Sequence, residues 1–171
     1  MTPLLPIEAL TADAFAPFGE VIECRDRAFF MINAGSTRRY HRLADVDTGP
    51  ADGWPIISLF RASALDYPLR IALLERHPHG SQAFMPLRGQ RFLVVVAPPA
   101  DSPDPRRLRA FLSDGCQGVN YARGVWHHAL LALNDGDDFL VVDRAGQLPN
   151  CDEHRLPEDQ VRWLPAPALE P

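Results

Sequence analysis

From residue 55 to residue 144 the chain alternates short apolar runs with turn formers: PIISLFRA (55–62), LRIALLERH (69–77), QAFMPL (82–87), RFLVVVAP (91–98), LRAFLS (108–113), VWHHALLAL (125–133) and DFLVVDR (138–144). β-branched and aromatic residues fill the runs, and 17 prolines and 11 glycines cut the chain into such short pieces. That is the pattern of pleated strands and not of long helical periods. GEVIE (19–23) and a stretch within RRYHRLADV read as further strands. The closely spaced turns predict a barrel or a sandwich. Helix is sparse. Thr11 can cap a short turn through Asp13, Ala14 and Phe15, stopped by Pro17 and Gly19, and a second short helix is expected near the C-terminus. The break APPADSPDPRR (97–107) reads as a connection between two strands. Residues 1–162 are therefore expected to form one domain, followed by an extended Pro-rich tail, 163–171.

Composition narrows the class. A chain of 171 residues is long enough for one core without staples. The 46% hydrophobic and 23% charged shares are those of a soluble globular protein. A net charge of -5 argues against nucleic acid and anionic membranes as partners. The longest apolar runs, FLVVVAPPA and ALLAL, are far short of a bilayer span, and no basic residue precedes the apolar residues of MTPLLPIEALTADAF. Cys24, Cys116 and Cys151 are odd in number and far apart, which fits no disulfide framework or Cys-x-x-Cys site; they are read as packing residues in a reducing cytoplasm.

Two polar clusters lie inside apolar strand sequence: His77, His79 and Gln82 in ERHPHGSQAFMPL, and the pair His127 and His128. Buried histidine must find a hydrogen-bond partner or face a cavity. Adjacent strand residues point to opposite faces, so only one of His127 and His128 can look into a hollow without a bulge. His77 and His79, two apart, share a side if Pro78 leaves the strand straight. The competing reading is a polar turn, since His-Pro-His-Gly-Ser is rich in turn formers. Phe84 shares the parity of Gln82 and is placed to floor a pocket; Asn120 and Tyr121, just before the second cluster, are placed to line its mouth. Asp143-Arg144, at a strand end, reads as an ion pair or turn.

Gly124-Val-Trp-His127 resembles the second short motif of the cupins, a glycine three residues before a histidine, and His77-Pro-His79 with Gln82 resembles the first, His-x-His followed by a carboxylate. ERHPHGSQAFMPL, LRAFLSDGCQGVNYARGVWHHALLAL, DFLVVDR with NCDEH, FGEVIE and INAGSTRRYHRLADV resemble the ureidoglycolate lyase family, as far as Cys151. The resemblance implies a mostly β fold, a cupin-type β-barrel of jelly-roll kind with a few short helices. It implies a cytoplasmic homodimer that cleaves (S)-ureidoglycolate to glyoxylate and urea by acid–base catalysis in allantoin breakdown. Such a reaction asks for a cation on the substrate carboxylate, for which Arg61 is the first candidate and Arg38 or Arg39 the next. It asks for His77 or His127 as base and acid, and for Gln82 to orient the substrate. The family is associated with stimulation by Ni²⁺, which His77, His79 and His127 would ligate. Gln82 stands where metal-binding cupins carry glutamate and brings no charge, so catalysis need not depend on a metal. The alternatives are a metal-dependent cupin isomerase or dioxygenase acting on another small hydroxy or keto acid, and a noncatalytic ligand-binding barrel.

Overall fold

The structure, a computed structural model, describes residues 4–50 and 52–168. Its strands are β1 (Ile7–Ala9), β2 (Gly19–Ile22), β3 (Phe30–Ile32), β4 (Thr37–Arg39), β5 (Trp54–Ala62), β6 (Leu69–Ile71), β7 (Leu73–Arg76), β8 (Gln82–Pro86), β9 (Phe92–Ala97), β10 (Arg109–Leu112), β11 (Gly118–Tyr121), β12 (Trp126–His127), β13 (Leu131–Ala132), β14 (Asp137–Ala145), β15 (Asp152–Arg155) and β16 (Arg162–Leu164). Among the described residues a single short α-helix, α1 (Ala12–Phe15), stands where expected, its Ala14 amide donating to the Thr11 hydroxyl at 3.2 Å. The expected C-terminal helix is one 3₁₀ turn, Glu158–Gln160. Among the described residues no helix is long and apolar enough to cross a membrane.

Two sheets face each other. One runs β1-β10-β9-β12-β7-β15 with β13 also on β9; the other runs β2-β11-β8-β14-β5. Among the described residues their ladders do not join, so the expected barrel is realised as a two-sheet sandwich and not as a hydrogen-bonded closed barrel. β9 explains why the larger sheet is central. Phe92, Val94 and Val96 enter the core between the sheets with Phe84, Phe111, Phe139 and Tyr121, while Leu93, Val95 and Ala97 enter a second core with Ile71, Leu74, Trp126 and Leu164. A strand buried on both faces reads as the unbroken apolar run FLVVVA.

Two expected strands break. LRIALLERH divides at Ala72: β6 pairs with β16, whereas β7 pairs with β12 and β15, and the Ala72 carbonyl accepts from Leu156. VWHHALLAL divides between β12 and β13, and the irregular residues 128–130 shift the parity, so His127 shares the face of Val96 whereas Leu131 lies in the second core. The tail begins later than expected, because β16 carries Trp163 and the fully buried Leu164; residues 169–171 lie outside the described residues. The three cysteines are exposed and not packing residues.

Candidate active site

Register builds the site. On the larger sheet His127 of β12 lies directly opposite Glu75 of β7, and strand alternation brings His77 to the same inward face as Glu75. On the facing sheet Tyr121 of β11 lies opposite Gln82 of β8; Val142 pairs with Ala83, which sets Asp143 of β14 beside Gln82 on the other flank. Asp143, Gln82 and Tyr121 thus form a row that looks across at Glu75, His77 and His127. Phe84, one inward position below Gln82, packs edge-on against Tyr121 and Phe60.

His127 is 1% exposed, and its ring stacks on Tyr121 at 4.3 Å between centroids. Its Nδ1 donates to the Val125 carbonyl at 3.1 Å. Its Nε2 faces Glu75 Oε1 at 3.4 Å but makes no aligned hydrogen bond. Burial is the largest influence on His127 and lowers its pKa, while the contact with Glu75 pulls the other way. Glu75 is held below the usual carboxylate range, first by its contact with His127, against the opposing effect of burial. Because the Val125 carbonyl only accepts, Nδ1 carries a proton, so a hydrogen bond from Nε2 to Glu75 requires the doubly protonated ring. Burial, with the charge of Glu75 nearby, raises the Tyr121 phenol, which stays protonated. His77 Nδ1 donates to the Asn150 carbonyl at 2.6 Å, and its Nε2 lies 2.9 Å from Gln82 Oε1. The Gln82 amide nitrogen donates to Asp143 Oδ2 at 3.1 Å. Ligand-type atoms of Glu75, His77 and His127 lie within 4.8 Å of one another.

The structure brings together His77, Gln82, His127, Tyr121 and Phe84. It leaves out His79: β7 ends at Arg76 and the chain turns at Pro78, so the inward pair is Glu75 and His77, with only the His79 backbone tied, to Asn150 Oδ1. Arg61 does not reach the row. It sits five residues along the β5–β14 ladder from Asp143, opposite Asp138, and Phe60, its neighbour, takes the inward face, so Arg61 points out and pairs with Asp138. Arg38 is exposed on the separate β3–β4 hairpin, over the Phe29 ring, with Arg39 beside it over Phe30. Asn120 takes the outer face of β11, where its amide donates to Glu20 and the Asp45 carbonyl. Asp143 and Arg144 form no ion pair, since neighbours on a strand diverge; Arg144 turns to Thr48 and Asp52. Sequence reasoning missed Glu75 and Asp143. The signal for Glu75 was present, as Glu75-x-His77 has the same spacing as His77-x-His79.

The sequence profile described as ureidoglycolate lyase matches residues 2–162. The chain belongs to the ureidoglycolate lyase family. It is 60% identical over 164 residues to a ureidoglycolate lyase of Azotobacter vinelandii, covering 96% of this chain and 99% of the relative. It is 61% identical over 156 residues to one of Pseudomonas syringae pv. tomato, covering 91% and 92%. Among solved structures, the rmlC epimerase of Mycobacterium tuberculosis matches at 19% identity and TM-score 0.44, over 80% of this chain and 67% of that one, a likeness too remote to carry weight. The donor set of this family member suits a divalent ion. Both imidazoles anchor Nδ1 on a backbone carbonyl; the enclosed Nε2 of His127 lacks a partner, and His77 Nε2 would have to exchange Gln82 Oε1 for the metal. Two imidazoles and a carboxylate accommodate Ni²⁺ or Zn²⁺.

Proposed function

We propose that this chain cleaves (S)-ureidoglycolate to glyoxylate and urea, a step of allantoin breakdown, in the cytoplasm and as a homodimer. The observation that carries the reading is the convergence of Glu75, His77 and His127 opposite Gln82 and Tyr121, in a chain of this family. The carbinol oxygen must lose a proton as its carbonyl forms, the C–N bond breaks, and the urea nitrogen gains a proton; no water is consumed. His127 fits the base. Its Nδ1 proton is fixed on Val125, which leaves Nε2 to accept, and Glu75, 3.4 Å from Nε2, stands ready to stabilise the imidazolium. His77, anchored on Asn150, is the acid that protonates the departing nitrogen. Gln82 orients the ureido group, and Tyr121 holds the His127 ring by stacking. A divalent ion held by Glu75, His77 and His127 would take the two Nε2 atoms and would, when bound, supply polarisation of the carbinol oxygen in place of their proton transfer.

The substrate carboxylate is assigned to Arg123. Gly124 donates to the His77 carbonyl at 3.0 Å, which sets this loop at the rim, and Arg123 there pairs with Asp47 in a partly exposed bridge that an incoming carboxylate can replace. The exposed thiols of Cys24, Cys116 and Cys151 suit a reducing compartment. The test is release of urea and glyoxylate in equal amounts from (S)-ureidoglycolate. Ammonia in place of urea, or no turnover, would reject the reading. His127→Ala should lower kcat by about 10²- to 10⁴-fold while the protein stays folded.

A further inference from the structure

Asp143 completes the inward row, yet no proton or bond of the reaction requires it. Its Oδ2 accepts from Gln82 Nε2 at 3.1 Å, and its Oδ1 is enclosed without a hydrogen-bond partner. No ion pair to it is found among the described residues, and the adjacent Arg144 turns to the opposite face. An enclosed carboxylate so thinly partnered lowers stability unless something else calls for it.

The neighbouring amide supplies the reason. An amide can turn either its NH₂ or its carbonyl toward a given neighbour, and the two orientations nearly superimpose in shape. A carboxylate only accepts. Asp143 therefore takes the NH₂ end and turns Gln82 Oε1 toward His77, 2.9 Å away, and toward the space between the sheets. The geometry points to Asp143 as a positioning residue that locks the Gln82 amide with its carbonyl facing the site, selecting a substrate rich in N–H donors, without touching that substrate itself. This deepens the lyase reading and rests on it. A ureido group presents N–H donors, so an inward carbonyl attracts it and an inward NH₂ opposes it; a hydroxy acid without nitrogen gains nothing from the lock. The same arrangement explains why position 82 carries an amide. A glutamate there would set two carboxylates at the 3.1 Å now spanned by a hydrogen bond.

The experiment is a mutant cycle on the full chain, read by urea release from (S)-ureidoglycolate and by thermal unfolding. Asp143→Asn, which removes the lock but keeps the size, should lower kcat/KM about tenfold, the loss of one oriented hydrogen bond, with Tm unchanged or raised. In a Gln82→Ala background the same substitution should cost nothing further, because its effect passes only through the amide. Gln82→Glu should be impaired, and Gln82→Glu with Asp143→Asn should recover part of that loss, since Asn can donate to Glu. Equal losses from Asp143→Asn in both backgrounds, a Tm that falls with activity, or no recovery in the double variant would each overturn the inference while leaving the lyase reading standing. No urea from the unaltered protein would overturn both.

Discussion

The two imidazoles of the site are anchored alike and meet different partners. Each gives its Nδ1 proton to a backbone carbonyl, His127 to Val125 and His77 to Asn150, which fixes ring orientation. Beyond that anchor the environments diverge: His127 Nε2 meets the carboxylate of Glu75, and His77 Nε2 meets an amide oxygen. In the proposed mechanism Glu75 stabilises the imidazolium, so Glu75→Gln should lower kcat by about 10²-fold, the range of a lost partner in acid–base catalysis. His79 does not belong to it. His79→Ala keeps the backbone bond to Asn150 and should hold kcat/KM within about threefold, as expected of a change outside the site. Steady-state kinetics on the pair decide which residues of ERHPHG face the hollow; a severe loss in His79→Ala with a silent Glu75→Gln would mean that the strand registers differently.

Loops carrying Asp47 and Gly124 pack beside the segment from His77 to Gln82. Asp47 and Ser81 exchange bonds, the Asp47 amide to the Ser81 hydroxyl and the Ser81 amide to the Asp47 carbonyl, which ties residues 45–49 to the strand that begins with Gln82. Gly49, at φ +66°, lies so close to the His79 carbonyl that a side chain there would collide with it. Across this rim runs the Asp47–Arg123 bridge. Arg123→Ala should raise KM about tenfold or more and change kcat little, because a carboxylate anchor remote from the reacting bond acts on binding. The bridge also has an acid limit: the hydrogen bond to Arg123 is the main reason the Asp47 pKa is lowered, so its support is in place above the unfolded value and is lost as pH falls through the lower folded one. Faster amide exchange at Gly49, whose N–H donates to Asp47, should appear only below about pH 4. What the sequence discloses follows the same geometry. Alternation put Gln82 and Phe84 on one face but left His127 and His128 open, a choice made by the motif resemblance, and Thr11 announced α1. It could not see that β6 and β7 change partners at Ala72, since periodicity carries no information about neighbours. β11 escaped notice because its residues, GVNY, include glycine and asparagine, poor strand formers, although all four are buried. Arg61 was chosen by chemical type, and only the ladder with β14 reveals its outward face.

At the scale of the molecule, the spacing between the sheets sets whether the two polar rows meet. Phe139 and Phe92, edge to face at 5.2 Å, fill that space below the site. Phe139→Ala should lower unfolding free energy by about 3–5 kcal/mol in denaturant titration, with activity falling as the rows lose their support. The outer boundary is less complete. β5 is the edge of its sheet, nine residues long, with Ile57 73% and Leu59 68% exposed and Trp54 also open. The β3–β4 hairpin adds exposed Phe30 and Met31, with Phe29 just before it. An apolar edge of this length templates pairing with another chain unless it is covered, and a second copy covers both edges at once by two-fold symmetry. If the chain is the homodimer proposed above, Leu59→Arg, on the outer face, should leave the far-ultraviolet spectrum intact and shift the sedimentation coefficient from dimer to monomer. The unaltered protein should unfold at a midpoint that rises with its own concentration, as association with the native state requires, and the variant should not. If the unaltered chain sediments as a monomer at micromolar concentration and its midpoint is independent of concentration, the edge is left for some other partner.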